Sequence, residues 1–357
     1  MKKLLSIVVA IIIFASTQVP FANAEATSVS KIESLLKTAE KHAGELKWQT
    51  SYEFTKEIKN PDMKVFNLTK NAYWKAYFEI EKYNGKDKEK FENRLHNNTG
   101  IHFSRATSYI DAITSGKKIE RLTDQYNNLY SSDPTSNVTV QKYHDLSTEI
   151  RKQAQILYHV YGKSTREAIL TKYKHPGVKA LQTSKYVIST KIHLNNLESL
   201  IANKAPQYKI ESNVATFFSL QDMIKNEEIA GDLYTIYYEI IRKDSNFLSQ
   251  EKEITEFFKT STEYTNTENV ELLFGQYSKD YPDYLNLKKE IESTFIDFDL
   301  RYETLGIETH FIIDGIALVT HDEVETYQEE SIAYSFTYLL EKDSDGNWKY
   351  FDLIAID

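Results

Sequence analysis

The sequence predicts an all-α helical module followed by an α+β domain with an antiparallel sheet. From residue 28 to about 204 the apolar residues recur at three- and four-residue spacings, the pattern of amphipathic helices. Residues 211 to about 295 keep that spacing. After Ile296 apolar and polar residues alternate over short runs, and the turn dipeptides Asp314-Gly315 and Asp345-Gly346 separate such runs as hairpins. Helices therefore precede the strands of the C-terminal part.

The first residues have the pattern of a secretory signal peptide over 1–24. Two lysines precede an apolar run over 4–14, and Ala22-Asn23-Ala24 supplies the small-residue cleavage site. The run is shorter than the ~20 residues of a membrane-spanning helix, although an uncleaved anchor is the alternative. A secreted chain of 357 residues without cysteine must be stabilised by its core alone, and it offers no thiolate metal site.

The clearest helix of the first half is defined by an apolar series at spacings of three and four. The series is Tyr143, Leu146, Ile150, Ala154, Leu157 and Tyr161. Because Tyr161 ends this series, we expect it to pack in the core. Earlier helices are predicted around residues 32–43 and 73–80, and a third runs from about Asp87 into the 120s with an interruption near 97–100.

A helix corner follows the apolar series. Gly162 suits a helix C-terminus, and Ser164 with Glu167 matches the capping box that begins another helix. Pro176 removes a backbone donor and disfavours helical backbone at His175, which predicts a kink or a break there.

Positive charge collects around this corner although the chain as a whole is acidic. The formal net charge is −9, yet residues 151–191 hold nine Lys or Arg and one acidic residue, Glu167. Residues 251–357 hold 25 acidic and 8 basic residues, so the chain is electrically bipolar. A basic stretch of this kind is either a solvated helix face or a binding surface. Solvated helices usually alternate charge signs for i, i+4 pairing, so the near-absence of acidic residues is unusual, although on the residues alone the solvated face stays the first interpretation.

Two stretches of the first half carry a resemblance to a known family. They are "SRATSYIDAITSGKKIERL" (104–122) and the run from "ILYHVYGKSTREAIL" (156–170) to "NNLESLIANK" (195–204). The residues that look alike are Arg105, Ala106, Thr107, Tyr109, Ile110, Asp111 and Ala112 in the first, and Ile156, Leu157, Val160, Tyr161, Gly162, Lys163, Thr165 and Arg166 in the second. Over residues 28 to about 205 the chain resembles the N-terminal helical region of SbsC-type bacterial surface-layer (S-layer) proteins.

This resemblance implies an elongated all-α helical bundle that binds a secondary cell wall polymer non-covalently. It also implies a location in the cell wall or at the cell surface. Two features depart from the family. His175-Pro176-Gly177 interrupts what is a continuous helix there, and the sequence shows no counterpart of the long β-rich region by which S-layer proteins build their lattice.

The C-terminal part resembles the nuclear transport factor 2-like, or cystatin-like, cone fold. Helices come first, a curved antiparallel sheet follows, and "DGNWKYFDLIAID" forms its last strand. This fold hosts enzymes, ligand binders and interaction modules, so it assigns no function. The predicted organisation is a signal peptide (1–24), a wall-binding helical module (25–205), a helical connector (206–249) and an α+β cone domain (250–357).

The predicted polymer-binding surface is basic and bears tyrosines. Its members are Lys163, Arg166, Lys172, Lys174, Lys179, Lys185, Tyr158, Tyr173, Arg105 and Tyr109. Arginine offers a fork for phosphate or carboxylate, lysine acts as a point charge, and aromatic rings stack on sugars. A polyanionic glycopolymer is held by many such modest, salt-sensitive contacts. For Tyr109, burial in the core is the equal alternative.

Other classes of function have less support in the sequence. Secretion and the acidic C-terminal part argue against nucleic acid. A pocket of the cone with Asp299, Tyr302 and His310, or with His321, is the alternative site of an enzyme or a small-molecule binder. The nine histidines are scattered without an HExxH motif, and the GxSxG and P-loop motifs do not occur, so catalysis is not expected.

No cofactor or metal is expected either. "DSDGNW" (343–348) is a hairpin turn rather than a calcium loop, because it lacks the later Glu ligand. We therefore expect a secreted, wall-associated, non-catalytic protein of a Gram-positive bacterium, without an integral membrane segment after signal cleavage. Its expected partner is an anionic cell-wall glycopolymer, and a protein or small-molecule ligand of the C-terminal domain is left open. A purely structural adhesin without wall affinity is a third interpretation.

Overall fold

The structure is a computed structural model that describes residues 28–328 and 330–356. The predicted signal peptide and its cleavage site lie outside the described residues. The helices of the first half are α1 (Val29–Gln49), α2 (Tyr52–Thr55), α3 (Met63–Glu81), α4 (Lys88–Leu95), α5 (Ile101–Ser132), α6 (Asn137–Tyr158), α7 (Lys163–Ile169) and α8 (His175–Ala202). None of the described helices is both long enough and apolar enough to cross a membrane.

The second half contains shorter helices and then a sheet. The helices are α9 (Gln207–Gln221), α10 (Glu227–Ile241), α11 (Ser245–Asn266), α12 (Val270–Phe274) and α13 (Tyr284–Asp297). The strands are β1 (Leu300–Ile313), β2 (Ile316–Tyr327), β3 (Glu330–Lys342) and β4 (Trp348–Ile356). The predicted fold class, a helical module followed by an α+β region with an antiparallel sheet, is confirmed.

Two π-helical turns join neighbouring helices. One, His96–Gly100, lies between α4 and α5, where the sequence predicts an interruption. The other, Leu170–Lys174, directly precedes α8 and Pro176. At its end the amide of His175 donates to the carbonyl of Leu170. The π-helical turn, which is wider than an α-helical turn, ends next to Pro176. Proline lacks a backbone N–H donor, and an α-helix accommodates its ring poorly. Helix α8 nevertheless follows without a break.

The capping box predicted for the corner is wrong. Gly162, at φ 86°, precedes α7, and no side chain caps that helix. Because α7 begins at Lys163, Ser164 lies inside its first turn, and its hydroxyl donates instead to the Glu53 carboxylate at 2.8 Å.

The chain divides into two compact units, and the boundaries run through helices. Of the described residues, the first unit contains those up to Glu120 together with Ile150–Pro176, and the second contains Arg121–Glu149 and those from Gly177 onward. The predicted limits at residues 205 and 250 stay predictions.

Helices α1, α3 and α4 form one core of the first unit. Its buried members are Ile32, Leu36, Ala39, Ala72, Ala76, Ile80, Phe91 and Leu95. The guanidinium of Arg94 fastens α4 to α1. It binds both oxygens of Glu40, at 2.7 and 2.8 Å, and Glu33 at 2.6 Å.

The core of the second unit joins the helices to the sheet. It includes Leu194, Val214, Phe217, Leu233, Tyr237, Phe247, Ile254, Phe258, Ile312, Ala317, Val319, Leu340, Trp348 and Tyr350. The four strands are antiparallel in the order β1-β2-β3-β4. Both predicted hairpins form. Asp314 and Gly315 both have positive φ (49° and 77°), as a type I′ turn requires, and Gly346 has φ 84°.

Alternation along β2 decides which side chains meet the helices. Ala317, Val319 and His321 are buried, and the His321 ring lies 4.5 Å from the ring of Phe258 on α11. Because strand residues alternate between faces, Glu323 and Glu325 extend the same inner face.

Candidate functional site

A cavity of about 310 Å³ lies at the predicted corner of the first unit. The end of α1, α2, the first turns of α5 and the segment 160–165 surround it. We call it the aromatic cavity. Its lining residues are Lys47, Trp48, Thr50, Ser51, Glu53, Phe54, His102, Arg105, Tyr109, Val160, Tyr161, Gly162, Ser164 and Thr165.

Three exposed aromatic side chains give the cavity its character. The rings of Trp48 and Phe54 are in contact, with centroids 4.0 Å apart. Tyr161 is 61% exposed, so the prediction that it packs in the core is wrong. Helix α6 ends at Tyr158, and the helical spacing no longer applies beyond it. Val160 takes the buried position instead, which leaves the Tyr161 ring at the cavity.

Two cations lie on these aromatic rings. The guanidinium carbon of Arg105 is 3.2 Å from the centroid of Tyr161, and the Lys47 ammonium is 4.7 Å from the centroid of Trp48. Within residues 28–328 and 330–356, neither cation has a carboxylate partner. The stacking restricts where the charged groups lie and leaves both of them able to contact an anion.

The remaining ionisable groups of the cavity are Glu53, the one acidic side chain among its lining residues, and His102. The Glu53 carboxylate accepts a hydrogen bond from Ser164. Burial, with Lys47 and Arg105 nearby, holds the pKa of His102 below its ordinary value, which favours the neutral ring. The lining therefore holds two cations, Lys47 and Arg105, against one carboxylate, Glu53.

Hydrogen bonds hold the corner itself. The buried hydroxyl of Thr165 accepts a hydrogen bond from the backbone amide of Tyr52 at 3.0 Å, which connects α7 with α2. Arg166 donates to the carbonyl of Val160 at 3.3 Å. A structural contact thus uses part of the hydrogen-bonding capacity of Arg166, one of the predicted polymer-binding residues.

The structure corrects two of the predicted binding tyrosines. Tyr109 and Tyr173 are buried, with 1% and 2% of their surface exposed, so their rings do not form a surface for sugar. Tyr173 packs against Gly116 on α5, where a Cβ atom would lie 2.4 Å from its ring. Tyr109 still contributes to the lining of the aromatic cavity.

The other predicted residues are not among the lining residues of the aromatic cavity. Lys163 is exposed on the corner. Lys174 donates to the hydroxyl of the exposed Tyr158 at 2.8 Å and lies 4.7 Å from that ring's centroid. Lys172 donates to the carbonyl of Ile58. Lys179 and Lys185 are exposed but belong to the second unit.

Of the lining residues of the aromatic cavity, sequence reasoning predicted only Arg105 and Tyr109 as site residues; among those it missed are Lys47, Trp48, Phe54 and His102. A signal for two of them was present. Trp48 lies two residues after Leu46, the last buried residue of α1, and is therefore not on the buried face of that helix. Lys47 lies between them. A large aromatic residue off the buried stripe, next to a cation, indicates a surface contact.

A second cavity, of about 240 Å³, lies in the second unit between the sheet and α11, α12 and α13. We call it the tyrosine cavity. Of the four residues predicted for a pocket of the cone, Tyr302 and His321 line this cavity. Asp299 is exposed beside Arg301 at 3.7 Å. His310 contacts the hydroxyls of Tyr234 and Thr320 and is not among the lining residues.

Burial perturbs two groups of the tyrosine cavity. It raises the pKa of Glu323 to about 7, with the charge of Glu325 adding to the effect, and it lowers the pKa of His321 to about 4. Nδ1 of His321 lies 3.5 Å from the Glu323 carboxylate, and its Nε2 contacts the hydroxyl of Thr304 at 3.0 Å. His321 is therefore neutral where Glu323 is ionised, so it does not neutralise the carboxylate.

The family comparison agrees with the resemblance seen in the sequence. Residues 47–178 match the family model described as the SbsC C-terminal domain, and this range contains every lining residue of the aromatic cavity. The sequence resemblance is to the N-terminal helical region, whereas the matching model carries the description of a C-terminal domain. The first half of the chain therefore resembles SbsC-type S-layer proteins. No curated protein matches the chain.

Three solved structures of surface-layer protein SbsC match the chain at low sequence identity. The structure of surface layer protein SbsC, domains 1–6, has 14% identity and a TM-score of 0.42, covering 93% of this chain and 45% of that one. The crystal structure of the S-layer protein rSbsC has 13% identity, the same TM-score, and coverage of 92% and 45%. The N-terminal part of SbsC has 14% identity, a TM-score of 0.42, and coverage of 91% and 77%. This chain spans less than half of the first two structures.

Proposed function

We propose that this chain is a non-catalytic protein of the bacterial cell surface that binds an anionic cell-wall glycopolymer at the aromatic cavity. One observation carries the proposal: Arg105 and Lys47 each lie on an aromatic ring of the same cavity, and neither has a carboxylate partner among the described residues. The resemblance to S-layer proteins supports a location at the cell surface.

The cavity supplies both kinds of contact that such a polymer needs. The guanidinium of Arg105 offers a fork for phosphate or carboxylate, and Lys47 offers a point charge. The exposed rings of Trp48, Phe54 and Tyr161 offer apolar faces to the C–H groups of sugar rings. A neutral polysaccharide would use only the rings, so the unpaired cations favour an acidic polymer.

A long polymer extends beyond one cavity, and the basic residues outside it provide further contacts. In the first unit these are Lys163, Lys172 and Lys174 with Tyr158. Lys179 and Lys185 belong to the second unit and stay separate candidate contacts. Each exposed charge contributes little alone and is screened by salt. We keep Arg166 in this surface and omit Tyr109 and Tyr173 as stacking residues because they are buried.

The predicted signal peptide supports secretion, so the proposed location is the cell wall or cell surface. The proposed organisation keeps the wall-binding helical part before residue 205 and the α+β part after residue 250. A small-molecule binder that acts through the tyrosine cavity is the second candidate function, and a desolvated carboxyl group in a polar cavity favours it.

Replacement of one stacked cation tests the proposal. Arg105→Gln removes the charge and the fork, and loss of charge-assisted hydrogen bonds of about 1.5–3 kcal/mol weakens binding by about ten- to a hundredfold. Arg121→Gln, on the same helix at an exposed position, is the matched control and changes the affinity less than about twofold. The measurement is binding of the labelled full chain to purified wall sacculi that carry their secondary polymer.

Thermal unfolding of both variants checks that they are folded. Equal binding by Arg105→Gln and the wild type contradicts a role of the cavity. An equal loss in both variants shows a diffuse effect of net charge instead of a site.

A further inference from the structure

The face of β2 that packs against the helices is buried along its first half and carries two acidic residues along its second half. Glu323 follows Ala317, Val319 and His321 on this face, and only 16% of its side chain is exposed. Glu325 is the next residue of β2 on the same face. A desolvated carboxylate is costly unless a positive group or hydrogen bonds compensate it, so the position of Glu323 requires an explanation.

The described residues provide no cation for Glu323. Its ionic neighbour is His321, which burial keeps neutral, and no Lys or Arg lines the tyrosine cavity. Glu325 accepts a hydrogen bond from the hydroxyl of Tyr302 at 3.1 Å. Residues 28–328 and 330–356 also contain no group of three or more His, Asp or Glu side chains that could hold a metal ion.

Aromatic rings form the walls around the carboxylate. The rings of Tyr277 and Tyr338 lie 4.7 and 4.9 Å from that of Tyr350, and Tyr302 lines the cavity from β1. Tyrosine faces carry the negative part of the ring quadrupole and attract cations, most strongly where water is excluded. The cavity thus combines an unpaired carboxylate with several electron-rich rings.

We propose that the tyrosine cavity binds a small organic cation, with an alkylammonium group beside the Glu323 carboxylate and among the tyrosine rings. The ligand supplies the positive charge that the protein does not, and the rings stabilise it by cation–π contacts. The volume of about 240 Å³ restricts the ligand to a small molecule or one terminal group. This proposal is independent of polymer binding at the aromatic cavity.

Binding of such a cation depends on the ionisation of Glu323. The titratable groups around it are His321 and Glu325 on β2, Tyr302 on β1, Tyr338 on β3, Tyr350 on β4 and Tyr277 after α12. Burial raises the pKa of Glu323 to about 7, so its charge is present at pH 8 and largely absent at pH 6. The association constant is therefore expected to fall about tenfold over that interval.

Choline and ethanolamine are suitable probes, and 3,3-dimethyl-1-butanol is the matched control. The control has the shape of choline but carries carbon in place of the charged nitrogen. Calorimetric titration of the full chain at pH 8 is expected to give association constants at least tenfold higher for one or both cations than for the control. Equal binding of all three, or no binding of either cation at millimolar concentration, contradicts the proposal.

Two protein variants locate the site. Glu323→Gln keeps the shape and removes the charge, so it is expected to reduce cation binding at least tenfold and to abolish its pH dependence. It removes an uncompensated buried charge and is expected to remain folded. Glu303→Gln, at an exposed position of β1, is the matched control and leaves binding within about twofold. Unchanged binding in Glu323→Gln places any cation elsewhere and contradicts the assignment.

Discussion

Gly116 determines how closely Tyr173 packs on α5. A Cβ atom at residue 116 would lie 2.4 Å from two ring carbons of Tyr173 and 2.9 Å from its Cβ. The ring is buried, so it cannot move into solvent. At this residue the absence of a side chain is a packing requirement, although the backbone is ordinary helix.

Alanine at two α-helical glycines of the first unit, Gly44 and Gly116, is expected to have opposite effects. Gly116→Ala forces the Tyr173 ring to shift and lowers the free energy of unfolding by about 1–3 kcal/mol. Gly44→Ala, where no atom lies within 4 Å of the new Cβ, raises it by about 0.5–1 kcal/mol because glycine is the poorer helix former. Urea unfolding measures both changes. A stabilised Gly116→Ala variant is incompatible with the packing described.

Only part of the candidate site could be predicted from the amino-acid sequence. The sequence located the basic corner and Arg105, but it exchanged the roles of two tyrosines: Tyr161 is exposed and Tyr173 is buried. Spacing assigns a residue to the buried face only while the helix continues. It failed for Tyr161 beyond the end of α6, and for Tyr173 inside a π-helical turn. Lys47 and Phe54 come from other helices, and spacing along one segment cannot bring them to the corner.

At the scale of elements, the attachment of α4 to α1 depends on Arg94. Its fork binds Glu40 through two hydrogen bonds and reaches Glu33 with a third, while Asn98 also donates to Glu40. These contacts hold the pKa of Glu40 below its ordinary value of 4.5. The stability they provide is present above that pH and is lost as the pH falls and Glu40 is protonated.

Arg94→Lys tests the geometry of this contact, because it keeps the charge and loses the fork. We expect the free energy of unfolding at pH 7 to fall by about 1–2 kcal/mol. The difference from the wild type is expected to shrink as the pH is lowered below about 4.5. Lys90→Gln, at an exposed position of α4, serves as the control with little effect. Chemical unfolding across pH measures the series, and a loss of stability in Arg94→Lys that is independent of pH contradicts the ion-pair explanation.

The local spacing of apolar residues predicted correctly whether most segments form helices or strands. The change from helical spacing to alternation predicted the sheet, and Asp-Gly dipeptides predicted two of its turns because positive φ favours glycine there. The tyrosine cavity was less accessible to prediction. Alternation along β2 places Glu323 inward, but bulges in β1 between Thr304 and Gly306 and between Thr309 and Phe311 shift its register. Alternation alone therefore does not locate His310.

For the whole molecule, the charge distribution sets the conditions under which it can bind an acidic polymer. The chain has a net charge of −9, but residues 151–191 hold nine basic residues and one acidic residue, whereas residues 251–357 hold 25 acidic and 8 basic residues. Net repulsion from a polyanion is therefore expected, and binding depends on local contacts at the aromatic cavity and the neighbouring lysines. Such contacts are effective at low ionic strength and weaken when the Debye length falls to about 8–10 Å.

Co-sedimentation of the full chain with wall sacculi, before and after chemical extraction of their secondary polymer, tests the central claim most directly. The measurement is made over a range of salt concentrations. We predict binding to polymer-bearing sacculi at low salt, a progressive loss of binding as salt increases, and little binding to extracted sacculi at any salt concentration. Equal binding to both preparations, or no binding to polymer-bearing sacculi at low salt, would contradict polymer recognition.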